Sequence, residues 1–339
     1  MHMADALITP AVGGAMMAVS AGAIGYSVKK VKEELDDKKV PLMGVMGAFV
    51  FAGQMINFTI PATGSSGHIG GGILLAALLG PYAAFLVLAS VIIIQALFFA
   101  DGGLLALGCN IFNMGFFACF IAYPLIYSPI LKRAFTPKRI AIGTIAAVVV
   151  GLQLGAFSVV LQTLLSGITE LPFATFVALM QPIHLAIGLV EGIATAAVLS
   201  FIYQCSPSLL DGSNGELTKE RISRKKMIIV LLVMAVILAG GMSLLASANP
   251  DGLEWSMQGV AGTTELETEG FAYQVASKIQ EATAFLPDYG FNNDTGSGAA
   301  SGTSVSGIIG GGLTLGFACL VGGLISRYKR KVKYSKCQN

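Results

Sequence analysis

Three histidines occur in the chain, His2, His68 and His184, and imidazole suits borderline divalent metals such as nickel, copper and zinc. His2 is the most informative because of where it stands. An amino terminus that begins X-His can chelate through the α-amine of Met1, the deprotonated backbone amide nitrogen of His2 and the His2 Nδ1, closing two small rings of low strain. A further nitrogen in the same plane completes a square, the geometry preferred by Ni(II) and Cu(II). The amine and the amide must lose protons, so affinity rises with pH. The amide's negative charge also lowers the cost of burying the cation. On an ordinary tail His2 would mean nothing, but Met1-His2-Met3-Ala4-Asp5-Ala6-Leu7-Ile8 is too apolar to stay in water and is expected to tuck into the protein.

His68 is the natural fourth nitrogen, with a helix-capping role as the alternative. It lies in Gly64-Ser65-Ser66-Gly67-His68-Ile69-Gly70-Gly71-Gly72, where the glycines permit close backbone approach. His184 and Glu191 fall on one helical face, two turns apart. As buried ionisable groups they are expected to form a polar pair behind the ligands or part of the ion's path. Asp5, Asn57, Ser66 and Asn113 are further polar candidates around the metal or along that path.

The elements that must position these groups are membrane helices. The chain is 54% hydrophobic and 12% charged, with a mean hydropathy of +0.74, too apolar for a soluble globule of 339 residues. All but Lys278 of its 21 Lys and Arg fall in four clusters, Lys29 to Lys39, Lys132 to Arg139, Lys219 to Lys226 and Arg327 to Lys336. Such clusters are retained in the cytoplasm. Apolar stretches at 11–28, 42–61, 82–100, 104–127, 138–161, 176–203, 227–247 and 305–326 read as spans, with a shorter one at 69–80 that re-enters and turns at Gly80-Pro81. Counting it puts every cluster inside and the amino terminus outside. The fold class is therefore an all-α polytopic membrane protein of about seven transmembrane helices, residues 1–205, followed by a two-helix module, residues 227–339.

Residues 206–226 read as a cytoplasmic linker. The outer loop 248–304 of the second module carries eight acidic residues and one basic residue and is expected to be largely mobile. No signal peptide is expected, and no disulfide among Cys109, Cys119, Cys205, Cys319 and Cys337. Ala11, Ala15, Ala18 and Gly22 form a smooth stripe on the first span that suits close packing within the chain or the docking of a partner subunit.

Several motifs together resemble the CbiM/NikM family, the nickel- and cobalt-binding S components of energy-coupling-factor transporters. They are Met1-His2 with Asp5, Met55-Ile56-Asn57-Phe58 leading to Ser66-Gly67-His68, Asp101-Gly102-Gly103 through Ala106-Leu107-Gly108 to Asn113-Met114-Gly115, and His184 with Glu191-Gly192. The tail with Pro250-Asp251-Gly252-Leu253-Glu254-Trp255 is similar to the small two-span companion subunit, fused here to the end. Two stretches depart from the family's usual Pro-Asp-Gly-Phe and Pro-Gly-Gly-Thr: Ala4-Asp5-Ala6-Leu7 and Pro61-Ala62-Thr63-Gly64-Ser65.

The resemblance implies that the Met1 amine, the His2 amide and imidazole and the His68 imidazole hold Ni(II), with Co(II) as the other candidate. It also implies a transmembrane coupling subunit and two ATP-binding-cassette ATPases as partners in the cell membrane. The chain itself has no G-x-x-x-x-G-K phosphate loop. Neither catalysis nor nucleic-acid binding is expected. Two competing readings are a proton-driven secondary transporter with His184, Glu191 and Asp5 as relay, and an intramembrane metalloenzyme. Four protein nitrogens would leave the latter's metal no open position for water.

Overall fold

The computed structural model describes residues 2–34, 39–210, 221–291 and 299–338. After a turn at Asp5–Leu7, α1 (Pro10–Glu34) and α2 (Val40–Gln54) lead to a hairpin of two short antiparallel strands, β1 (Phe58–Ile60) and β2 (Ser65–Gly67). α3 (Gly72–Leu79) and α4 (Pro81–Phe98) follow, then α5 (Leu107–Ile111), which runs through wide π-helical turns over Phe112–Tyr127 into α6 (Ser128–Arg133). The long α7 (Pro137–Leu165) and α8 (Phe173–Cys205) close the first module. The second contains α9 (Arg224–Gly240), α10 (Gly252–Ala261), α11 (Phe271–Thr283) and α12 (Ala299–Gln338).

Among the described residues, six helical stretches are long and apolar enough to cross a membrane, within α1, α4, the continuous α5-to-α6 rod, α7, α8 and α12. All nine apolar segments seen in the sequence are helical, but three are short. α2 has 15 residues and α9 has 17, while the eight of α3 reach only about 12 Å at 1.5 Å per residue, less than half a bilayer core. α3 turns into α4 at Gly80, whose φ of 83° is left-handed, with Pro81 opening the next helix.

One expectation is corrected. The second apolar stretch runs to residue 61, but α2 ends at Gln54 because Phe58-Thr59-Ile60, with two β-branched residues and then Pro61, favours strand over helix. Asn57 therefore lies beyond the helix, where its carbonyl accepts from the Ser247 amide at 2.7 Å. Within the loop 248–304 two segments are helical, α10 and α11. Asp251 caps α10 by accepting from the Leu253 and Glu254 amides at 2.8 and 2.9 Å, while Glu254 reaches back to the Asp251 amide at 2.9 Å. That reciprocal capping box is a strong local start signal. Residues 211–220 of the linker and 292–298 of the loop lie outside the described residues.

Candidate metal centre

At one end of the bundle the chain's beginning is drawn inward as the sequence suggested. Met3 is fully buried and held on both sides by Asn110, whose Oδ1 accepts from the Met3 amide at 2.7 Å and whose Nδ2 donates to the Met3 carbonyl at 3.1 Å. The Gly103 amide donates to the same carbonyl at 2.9 Å. Asp5 accepts from the Ala106 amide at 3.0 Å, and burial pushes its carboxyl up from the ordinary value. Thr9 then donates through its amide to Ser166 Oγ at 3.0 Å. This ladder fixes residue 2.

The His2 ring stacks on His68 with centroids 5.3 Å apart and planes 20° from parallel. His68 owes its place to a tightly held loop. Gly71, at φ 77°, donates its amide to Glu191 Oε1 at 3.0 Å, and Gln54 donates to the Gly70 carbonyl at 2.9 Å. A methyl group on Gly67 would meet Ile187 at 2.7 Å, so only glycine lets the loop lie against α8.

Burial lowers the pKa of His2 below the ordinary histidine value even though Asp101 opposes it. It lowers that of His68 well below, with the His2 charge adding to the effect. Both rings are thus neutral at pH 7, the form that binds metal. His2 Nδ1 lies 3.2 Å from Asp101 Oδ1, a hydrogen bond from a neutral ring rather than an ion pair. Asp101 in turn accepts from the Tyr289 hydroxyl.

Among the described residues no group of three or more His, Cys, Asp or Glu side chains converges as a metal site. Two imidazoles meet here, and further strong donors have to come from the main chain. Met1 lies outside the described residues.

The second module roofs the centre. Ser66 donates its amide to the Pro250 carbonyl at 2.8 Å and its hydroxyl to the Asn249 carbonyl at 2.8 Å. Trp255 Nε1 donates to the Thr63 carbonyl at 2.9 Å. Ser66 is thus a fastening for the second module. Asn113 forms a reciprocal pair with Gln162, donating at 2.8 Å and accepting at 2.9 Å, and leans on Met3 Sδ. His184, Glu191 and Asn113 border a cavity of about 40 Å³ with His68, Asp251 and Gly252. Asp5 and Asn57 are not among its walls.

Asp101, Tyr289 and Asp251 were not among the residues singled out for the site. Asp101 had a signal, being the sole acidic residue between Asp37 and Glu170. Ala11, Ala15, Ala18 and Gly22 are all exposed, and α1 packs inward through its other side, where Ser20 Oγ donates to the Gly108 carbonyl at 2.6 Å.

Comparison with known proteins adds a family. Residues 2–209 match the cobalt uptake substrate-specific transmembrane region, CbiM, and residues 225–327 match the PDGLE domain. The chain is 32% identical to a putative fused nickel transport protein NikMN of Archaeoglobus fulgidus, over 97% of this chain and 99% of that one. It is 32% identical to the cobalt transport protein CbiM of Sorangium cellulosum, over 56% of this chain and 84% of that one. The crystal structure of a truncated transition metal transporter superposes with a TM-score of 0.53 at 32% identity, covering 60% of this chain and 98% of that one.

Proposed function

Because the chain belongs to the CbiM family of cobalt uptake substrate-specific transmembrane proteins, with a PDGLE domain in the same polypeptide, we propose that it captures Ni(II), with Co(II) as the alternative, and passes it through the membrane. The observation that carries the reading is the stacking of two neutral imidazoles, His2 and His68, on an amino-terminal segment pinned from both sides. The Met1 amine, the His2 amide nitrogen and the two rings make a square of nitrogens. A half turn of the His2 ring about Cβ–Cγ frees Nδ1 from Asp101 for the ion. The all-nitrogen plane favours Ni(II) over Co(II).

Transport takes place in the cell membrane with the amino terminus outside and the carboxy terminus in the cytoplasm, in line with the basic clusters. Energy comes from a transmembrane coupling subunit and two ATP-binding-cassette ATPases, which together form an energy-coupling-factor transporter with this chain as its metal-binding component. The exposed stripe Ala11, Ala15, Ala18 and Gly22 offers a face for the coupling subunit. A proton relay through Asp5, His184 and Glu191 is disfavoured, since Asp5 is committed to the Ala106 amide away from the cavity.

The test is positional. Placing one extra residue before Met1, verified by intact mass, should abolish stoichiometric Ni(II) binding by the purified, folded protein. His68→Ala should remove the visible band of a square-planar complex. Full binding by the extended chain, or an unchanged spectrum for His68→Ala, would sink the model.

A further inference from the structure

At the corner between α6 and α7, Arg133 and Arg139 border one groove of about 450 Å³, within the roughly 300–1,000 Å³ that ligand clefts occupy. Its remaining walls are apolar: Leu125, Ile126, Pro129 and Ile130. Arg139 Nη1 donates to the Ile130 carbonyl at 3.4 Å, one long bond among the five N–H that a guanidinium offers. Neither arginine forms an ion pair among the described residues. The sequence explains why: no acidic residue lies between Asp101 and Glu170. Two permanent cations therefore share an apolar recess with no counter-charge from their own stretch of chain.

The surroundings hold this groove in shape. The Tyr203 hydroxyl on α8 donates to the Phe135 carbonyl at 2.7 Å, and Thr136 Oγ1 accepts from the Arg139 amide at 3.3 Å, capping α7. A methyl group on Gly143 would stand 3.0 Å from Leu131 and 3.3 Å from Ile130, so α6 and α7 lie close together. The charged and apolar walls are set at different depths. Leu125 precedes Arg133 on the continuous rod by up to about 12 Å at 1.5 Å per residue, and it is 68% exposed. The basic cluster Lys132 to Arg139 belongs at the cytoplasmic surface, where the leaflet carries anionic lipids. The arginines thus lie at headgroup level and Leu125 on the acyl side.

We propose that this groove binds one anionic phospholipid of the cytoplasmic leaflet, with its phosphate on Arg133 and Arg139 and an acyl chain along Leu125, Ile126 and Ile130. Guanidinium groups match phosphate oxygens through paired N–H bonds and are more weakly hydrated than ammonium, so they suit a headgroup half out of water. A free phosphate would use the arginines and leave the apolar wall bare. The groove takes a molecule charged at one end and apolar at the other. Near its start the rod carries Asn110, which holds Met3, whereas Arg133 is its last residue. The lipid site therefore stands apart from the metal centre, and its test is independent of that reading.

Native mass spectrometry of the purified full chain, titrated in detergent with phosphatidylglycerol and separately with phosphatidylcholine, tests this. The first phosphatidylglycerol should bind about tenfold or more tighter than phosphatidylcholine, and joint Arg133→Gln and Arg139→Gln should bring the two within about twofold. Joint Lys225→Gln and Lys226→Gln, which removes the same charge at the start of α9, should leave the preference within about twofold of the wild type. No preference in the wild type, its survival in the arginine variant or an equal loss in the lysine variant would each overturn the proposal. The first would leave the groove to a protein partner, and the last would leave only diffuse attraction by charge. Displacement of the lipid by excess inorganic phosphate would overturn it too, by making the site one for a free anion. Should the arginine variant not fold, Leu125→Glu, at an exposed position, sets a carboxylate against the acyl chain and must weaken the first phosphatidylglycerol about fivefold or more. An unchanged affinity there overturns the proposal equally.

Discussion

Gly103→Ala would touch no proposed ligand and yet should cripple metal capture. Gly103 has an ordinary backbone conformation, so alanine introduces no dihedral strain and the effect is purely steric. Its new methyl would lie 2.5 Å from the Asp5 backbone nitrogen, with the Asp5 carboxyl closer still. A carboxyl can rotate away, but the backbone cannot, and ordinary contact near 3.5 Å requires a shift of about 1 Å. That shift strains two hydrogen bonds, from the Ala106 amide to Asp5 and from the Gly103 amide to Met3, at 3.0 and 2.9 Å. At about 1–1.5 kcal/mol each, their loss comes to about 2–3 kcal/mol, and with 1.4 kcal/mol per tenfold the affinity falls on the order of 100-fold. Only the amino-terminal segment detaches, so global unfolding moves little. Equilibrium dialysis with Ni(II), beside a thermal melt of the same sample, reads both quantities. A loss of less than about threefold with an unchanged melt would refute the idea that this ladder sets the ligand geometry.

Four other outcomes follow from the same geometry. Tyr289→Phe removes a donor from Asp101, leaving the carboxylate a stronger competitor for the His2 Nδ1 proton, so Ni(II) affinity measured by dialysis should drop about fivefold, one hydrogen bond's worth. Burial holds both imidazoles neutral at pH 7, so proton release on binding, measured by calorimetry in buffers of different ionisation enthalpy, should approach two protons from amine and amide rather than four. For the same reason the rings' contribution to stability is complete above about pH 6.5 and is lost as the pH falls through their lowered values. Gly252→Ala places a methyl 2.7 Å from Ile187 Cδ1 and should lift α10. Trp255 is the chain's sole tryptophan, so a red-shifted fluorescence spectrum reports the loosening directly, and an unshifted one contradicts it.

The local parts of this architecture were legible in the chain. Position two of the sequence, the glycines around His68 and the Gly80-Pro81 turn act over a few residues and leave their mark there. Asp101 was readable as a lone acid in a long apolar tract, and the capping box at Asp251 and Glu254 announced α10 inside a stretch whose composition suggested disorder. What composition hides is pairing at a distance. Tyr289 with Asp101, Ser66 with Pro250 and Trp255 with Thr63 join residues more than 180 positions apart. Such contacts obey no periodicity, since only the assembled bundle brings them together. The length of α2 was overestimated for a related reason: hydropathy measures how apolar a stretch is, while strand-forming side chains at its edge decide where the helix stops.

The fastening of Ser66 and Thr63 to Asn249, Pro250 and Trp255 has a further meaning in one polypeptide. These bonds are not alone: α9 and α12 pack along α2, and Met227, Leu231, Ala235, Ala318 and Ile325 share the apolar core of the first module. Joined through residues 206–226, the two modules meet at an effective concentration that short tethers bring to about the millimolar range. Covalent linkage thereby removes an assembly problem: the two modules are made in equal number and meet without a search.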